Sequence, residues 1–410
     1  MSVLSNDTPM DYTPKIYLTF IILTIIELLN RSVISLPSLT IVYALAIYYW
    51  LYLQISYIRK HYNYIKTKYN GIWVIYAFTI CNIIMILRGL SHSEDYWDYK
   101  NVLLNNGASL FIFLAIFLGK EIILFLKSMK YILKYYLISS VILIYDATIA
   151  NTGRIMCMAL PIMIYFIKKY RWIILIFTLY SLTITWEARG WVLRALFGLF
   201  LATISYAIIQ WRNHAIIYIK MMYIVLVIFP LLFSYLGYVG KFNIFNMESY
   251  INIPEKETAN IVDTRTFLYI LVQNKLTKDN AVICGEGLNI SYWEDFETNT
   301  GIKSLDDKGR MATESGLLNI YFWGGLFGAF LFSMLFWLSS FYGIFKSQNN
   351  FCKLLGIFII FRWVISFVDE PSAWVSSNIM LYMTMGICLN QDLRKQNDKY
   401  FINIIRKICQ

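Results

Sequence analysis

Apolar stretches of bilayer length recur along this chain, separated by short basic clusters. That pattern limits the fold more than any motif does. A hydrocarbon core of about 30 Å is crossed by about 20 residues at 1.5 Å rise. No water is available there for backbone N–H and C=O groups, so each crossing is forced into a helix. On this length criterion spans fall at 16–36, 38–58, 71–90, 108–126, 131–150, 153–167, 172–187, 190–210, 216–239, 315–345, 352–368 and 373–391, about twelve in all. Hydrophobic residues make up 58% of the chain and charged residues 15%, where a soluble domain carries about a quarter charged. The expected fold class is an all-α polytopic membrane protein. Transmembrane helices one to nine occupy 1–239, a large outer loop 240–314, and helices ten to twelve with a tail 315–410.

The net charge of +11 does not point to nucleic acid, because the basic residues are dispersed rather than gathered in one patch. They follow every second span: Arg59, Lys60, Lys66 and Lys68; Lys127 and Lys130; Lys168, Lys169 and Arg171; Arg212; Lys346 and Lys353; and the tail residues Arg394, Lys395, Lys399, Arg406 and Lys407. The alternation predicts that even loops and both termini are cytoplasmic. Acidic Asp7 and Asp11 precede the first span with no basic region, so no cleavable leader is expected. Only Cys284 of the six cysteines lies in the hydrophilic loop, so no disulfide framework is expected.

The odd loops then face outward. The largest, 240–314, has no clear helix or strand pattern, yet its Tyr250, Phe267, Tyr269, Tyr292, Trp293 and Phe296 argue against simple disorder. Arg154, Arg189 and Arg265 fall on this outer side, where the positive-inside rule does not explain them. A guanidinium carries five donors in a fixed fork that matches phosphate oxygens. Each arginine has a plainer reading, as a headgroup anchor or as half of an ion pair with Asp146, Glu187 or Asp263. Glu314 opens span ten; it is either an acid at a helix N-terminus or a general base. Gly324, Gly325 and Gly328 read as close helix packing, and Asp369–Glu370 before Pro371 reads as a helix stop. Glu27 and Arg362 lie inside spans and have no assigned role. There is no Walker motif, no metal-ligand spacing and no nucleophile elbow, so no cofactor or metal is expected.

The run Asp263-Thr264-Arg265-Thr266-Phe267-Leu268-Tyr269, followed by Gly285-Glu286-Gly287, resembles the start of the long periplasmic loop in the O-antigen polymerase and ligase superfamily. The stretch from Glu314 to Gly328 looks like the helix that closes that loop, and Arg189 looks like the family's upstream arginine. The family often has His where this chain has Glu314, a departure that tilts the resemblance toward a Wzy-type O-antigen polymerase. The resemblance implies a glycosyltransferase of the bacterial inner membrane that joins undecaprenyl-pyrophosphate-linked repeat units into O-antigen or capsular polysaccharide. Glu314, Arg265 and Arg189 are its expected catalytic residues; Arg154, Tyr269, Trp293, Asp369 and Glu370 are expected to contact substrate. Membrane lipid is an expected partner, with room for a chain-length regulator protein. Two alternatives stand beside it: an O-antigen ligase acting on lipid A core, and a flippase or transporter for a lipid-linked glycan.

Overall fold

The computed structural model describes residues 12–31, 37–143, 157–184, 189–210, 212–238, 264–291, 313, 315–367 and 374–409. Helices dominate, and no strand occurs among the described residues. The first part of the chain supplies α1 (Tyr12–Arg31), α2 (Pro37–Lys60), α3 (Tyr62–Lys68), α4 (Ile72–Ser91), the short α5 (Tyr96–Lys100) and α6 (Ile122–Leu143). Then come α7 (Lys168–Ile184), α8 (Arg189–Gln210), α9 (Arg212–Tyr238) and α10 (Thr264–Lys278). The last part forms α11 (Gly316–Phe345), α12 (Asn350–Ile365), α13 (Ser376–Leu389), α14 (Gln391–Lys395) and α15 (Asp398–Cys409).

Four of these helices are long and apolar enough to cross a membrane, at Tyr12–Leu29, Ile41–Lys60, Ile72–Ser91 and Gly316–Phe345. Their outward faces are as apolar as their inward ones. On α1, Ile16, Phe20 and Leu23 are buried, while Leu18, Ile22, Ile25 and Leu29 are exposed. On α4, Trp73, Ile80, Ile83, Ile84 and Leu87 are exposed. A water-soluble helix shows its polar face to solvent; apolar surface this extensive requires a lipid environment. The chain is an all-α membrane protein.

At the centre stands α12, in which every residue from Phe351 to Trp363 is buried. A helix buried on every face belongs inside a bundle. The neighbouring α13 meets the segment Ile112–Lys120 so closely that a Cβ added to Gly386 would fall 1.8 Å from the Ile116 carbonyl oxygen. Small residues set such distances where lipid provides no hydrophobic drive between helices. Several buried side-chain polar atoms among the described residues have no hydrogen-bond partner, and Gln54 is the one whose whole amide is left so. Gln54 is fully buried on α2, and neither its amide nitrogen nor its amide oxygen has a hydrogen-bond partner.

The segments that follow every second expected span converge at one end. Lys68 pairs with Asp392 at 3.0 Å, and the Arg394 guanidinium donates to Lys346 O at 3.3 Å and to Asn70 Oδ1. Asp398 accepts from Asn350 N at 2.9 Å and from the Tyr165 hydroxyl at 2.6 Å, and Lys130 Nζ donates to Ile408 O. The amphipathic α15 buries Phe401 and Ile405 against this end.

The fourth span differs from expectation. A π-helical stretch (Asn101–Gly107) and a 3-10 stretch (Ile112–Lys120) run down to Glu121, and α6 starts at Ile122. The turn thus falls inside the expected span 108–126, and Lys127 and Lys130 lie within a helix rather than a loop. Lys120 and Glu121 lie at this turn. Glu121 Oε1 accepts from the Tyr57 hydroxyl at 2.7 Å, and Lys120 Nζ sits 4.5 Å over the Tyr64 ring. Both charges are thereby held at the basic end, at the turn between the two segments.

Candidate functional site

The end opposite the basic one gathers residues from six helices. The large loop contributes α10, whose first turn contains Arg265. One turn on, the half-buried Tyr269 donates its hydroxyl to Phe367 O at 2.8 Å and lies 3.2 Å from Ser315 Oγ. Ser315 is the N-cap of α11, and its hydroxyl also reaches Ser366 O at 3.1 Å. Leu317 N donates to the same Ser366 carbonyl at 3.1 Å. Thr313 is locked against Asn319, with N to Oδ1 at 2.6 Å and Asn319 Nδ2 to Thr313 O at 2.9 Å. Tyr321 donates to Gln273 Oε1 at 2.6 Å, a second tie between α10 and α11. The loop helix is therefore fastened over the start of α11 and the end of α12.

Beneath this clamp runs a layer of buried polar groups. Arg362 lies one turn before Ser366 on α12 and donates to Asn378 Oδ1 at 3.4 Å. Two residues earlier on α13, Ser376 donates through both N and Oγ to Glu27 Oε2, each at 2.8 Å, and contacts Thr24 at 2.9 Å. Arg194 on α8 is also buried. The stacked rings of Phe197 and Phe361, 3.6 Å apart, hold α8 against α12. Charges at such depth in apolar helices mark functional positions by default.

The rest of the described loop is not a free extramembrane segment. Residues 281–288 wedge against α4 and α11, with Leu288 N donating to Met85 O at 3.3 Å and Arg88 to Cys284 O at 3.1 Å. They fill a break in α11 at Gly325, where φ is 64° and ψ −164°. Gly325 thus makes an interruption rather than the expected helix packing; a Cβ there would lie 2.3 Å from the Ile283 carbonyl carbon. Gly324 and Gly328 do pack against side chains of α4, including Cys81. Glu286 is buried in the wedge, and its Oε1 has no partner. Burial raises its carboxyl above the ordinary carboxylate range; Asp279 adds to the rise, while Lys275 and Arg88 oppose it. Lys275 and Asp279 are themselves paired at 3.0 Å.

Of the residues expected from sequence, Tyr269 is found in the clamp, with its hydroxyl engaged structurally. Arg189 and Arg265 lie on described backbone at the starts of α8 and α10, but their side chains fall outside the described residues. Arg154, Trp293, Glu314, Asp369 and Glu370 lie outside the described residues altogether. Sequence reading missed Arg194 and Glu286 as site residues and gave Glu27 and Arg362 no role. For Arg194 the available signal was a guanidinium within a bilayer-length apolar stretch. Compared with protein-family models, curated proteins and solved structures, the chain matches none.

Proposed function

We propose that this chain is a Wzy-type glycosyltransferase. It would polymerise undecaprenyl-pyrophosphate-linked repeat units at the periplasmic face of the inner membrane, with the basic end in the cytoplasm. One observation carries the reading. Tyr269, one turn beyond Arg265, touches Ser315, the residue beside Glu314. The two halves of the family-like motif, some forty-five residues apart in sequence, are thus tied together at one end of the bundle. In this reading the acceptor hydroxyl oxygen bonds to the donor's anomeric carbon. The bond from that carbon to the pyrophosphate oxygen breaks, and its electron pair leaves on undecaprenyl pyrophosphate. Glu314 takes the hydroxyl proton as general base. Arg265 and Arg189 hold the pyrophosphate and stabilise its growing charge. The buried Arg362 and Arg194 add positive potential beneath it.

The test is a deletion strain complemented with Arg265→Ala or Glu314→Gln. Loss of long glycan chains, with single-repeat caps retained and protein levels unchanged, is the expected result. Normal chain-length ladders from both variants would sink the assignment. Bare lipid A core in the deletion strain would indicate a ligase, and lipid-linked repeats trapped on the cytoplasmic leaflet a flippase.

A further inference from the structure

In an unbroken α-helix the Phe322 carbonyl would accept from Leu326 N–H and the Trp323 carbonyl from Phe327 N–H, the i→i+4 pairs. In α11 these four groups are instead all bonded to the wedge. Glu286 N donates to Phe322 O at 2.9 Å and Gly287 N to Trp323 O at 3.0 Å. Leu326 N donates to Val282 O at 2.9 Å and Phe327 N to Ile283 O at 3.2 Å. The wedge groups used are also two i→i+4 pairs, Val282 with Glu286 and Ile283 with Gly287. The rung before them, Gly285 N to Ala281 O at 2.7 Å, is already an i→i+4 bond.

We propose that the wedge and the α11 break form a two-state switch that exchanges these hydrogen bonds. In one state the four bonds run between the segments, as in this structure. In the other, each segment closes its own helical turn and the two part. Both states make four bonds among these eight groups, so the exchange itself orphans none of them in an apolar setting, where an orphan is prohibitive. Glycine occupies all three left-handed positions of the wedge and the break: Gly285, Gly287 and Gly325 have φ of 72°, 88° and 64°, a region from which glycine moves freely. The cross-bonded state also requires glycine sterically, because a Cβ on Gly285 would lie 2.4 Å from Gly325 N. Closing the break re-aims the outer part of α11 relative to its inner part, and with it the clamp that holds α10. Such bistable elements are how small local changes become large ones. The charged groups facing Glu286 are Asp279 and Lys275 from the α10 side and Arg88 from α4. The charge on Glu286 biases the exchange.

The test uses spin labels on native Cys284, which is exposed, and on Trp73→Cys at the other end of α4. Cys409 is replaced by Ser; Cys81, Cys157, Cys352 and Cys388 are buried. Two distance populations are expected in lipid nanodiscs. Gly325→Ala shifts the distribution to the longer distance, because a side chain is strained at positive φ. Glu286→Gln shifts it to the shorter one, because it removes the charge that burial in the wedge disfavours and leaves every exchanged backbone bond in place. A single distance that neither substitution moves overturns the switch and makes the break a fixed feature. Should Gly325→Ala fail to fold, the parent chain and Glu286→Gln decide by themselves.

Discussion

Tyr269 separates two roles that a site tyrosine can play. Its ring could stack on a sugar, or its hydroxyl could hold the loop helix in place. Tyr269→Phe keeps the ring and removes two contacts, the bond to Phe367 O at 2.8 Å and the one to Ser315 Oγ at 3.2 Å. A hydrogen bond contributes about 0.5–1.5 kcal/mol net, so the clamp loses about 1–3 kcal/mol. At about 1.4 kcal/mol per decade, the ratio of docked to undocked α10 falls about thirtyfold at the middle of that range. The second tie, Tyr321 to Gln273, remains and keeps the helix from leaving outright. Amide exchange across 264–278 in nanodiscs should speed up by about thirtyfold. Glycan chains in a complemented strain should shorten as much as with Tyr269→Ala. The reasoning is refuted if Tyr269→Phe exchanges like the parent and supports full-length chains while Tyr269→Ala does not. The ring, not the hydroxyl, would then be what matters.

Three further outcomes follow from other parts of the molecule. Gln54→Leu removes a fully buried amide that has no partner, so stability in detergent should rise by about 1–2 kcal/mol; a loss of that size in chemical unfolding would mean that the amide holds a bound water. Burial raises the Glu286 carboxyl, so the wedged state binds more protons than the released one. Its stabilisation is full below the ordinary carboxylate range and is lost as pH rises through the raised value. The short-distance population of the Cys284 label should decline with pH in the parent, and Glu286→Gln should flatten that response. Asp398→Ala removes the acceptor shared by Asn350 N, Phe351 N and the Tyr165 hydroxyl; α15 should loosen by about 1–3 kcal/mol, visible as faster proteolysis of the tail with α12 intact.

The helical membrane class was legible because apolar length is a local property, read residue by residue along the chain. The meeting of the basic segments was legible for a related reason: each cluster sits next to a span, and alternation brings alternate ends together. The fourth span was misread because the hydropathy of Ile112–Leu118 and Ile122–Leu126 outweighs the two charges between them. The structure pairs those charges with each other at 4.0 Å and also with Tyr57 and the Tyr64 ring, which come from the α2–α3 region far away in sequence. Arg362 and Glu27 stood out as charges in apolar stretches, but their roles depend on Asn378 and Ser376, which lie on a helix contiguous with neither.

The Gly324-Gly325 pair shows where pattern reading stops. A glycine that lets two helices approach and a glycine that breaks a helix occupy the same apolar background and the same 3.6-residue period. What distinguishes them is whether the freed N–H and C=O groups find partners elsewhere, because unpaired groups at that depth are not tolerated. For Gly325 those partners are Val282, Ile283, Glu286 and Gly287. They belong to a Gly-x-Gly turn that sequence alone reads as loop punctuation. The two motifs make sense only as a pair: the glycines of the loop permit its entry, and the glycine of the helix accepts it. Altering either partner alone should therefore have the same structural consequence, and Gly285→Ala should reproduce the distance shift of Gly325→Ala.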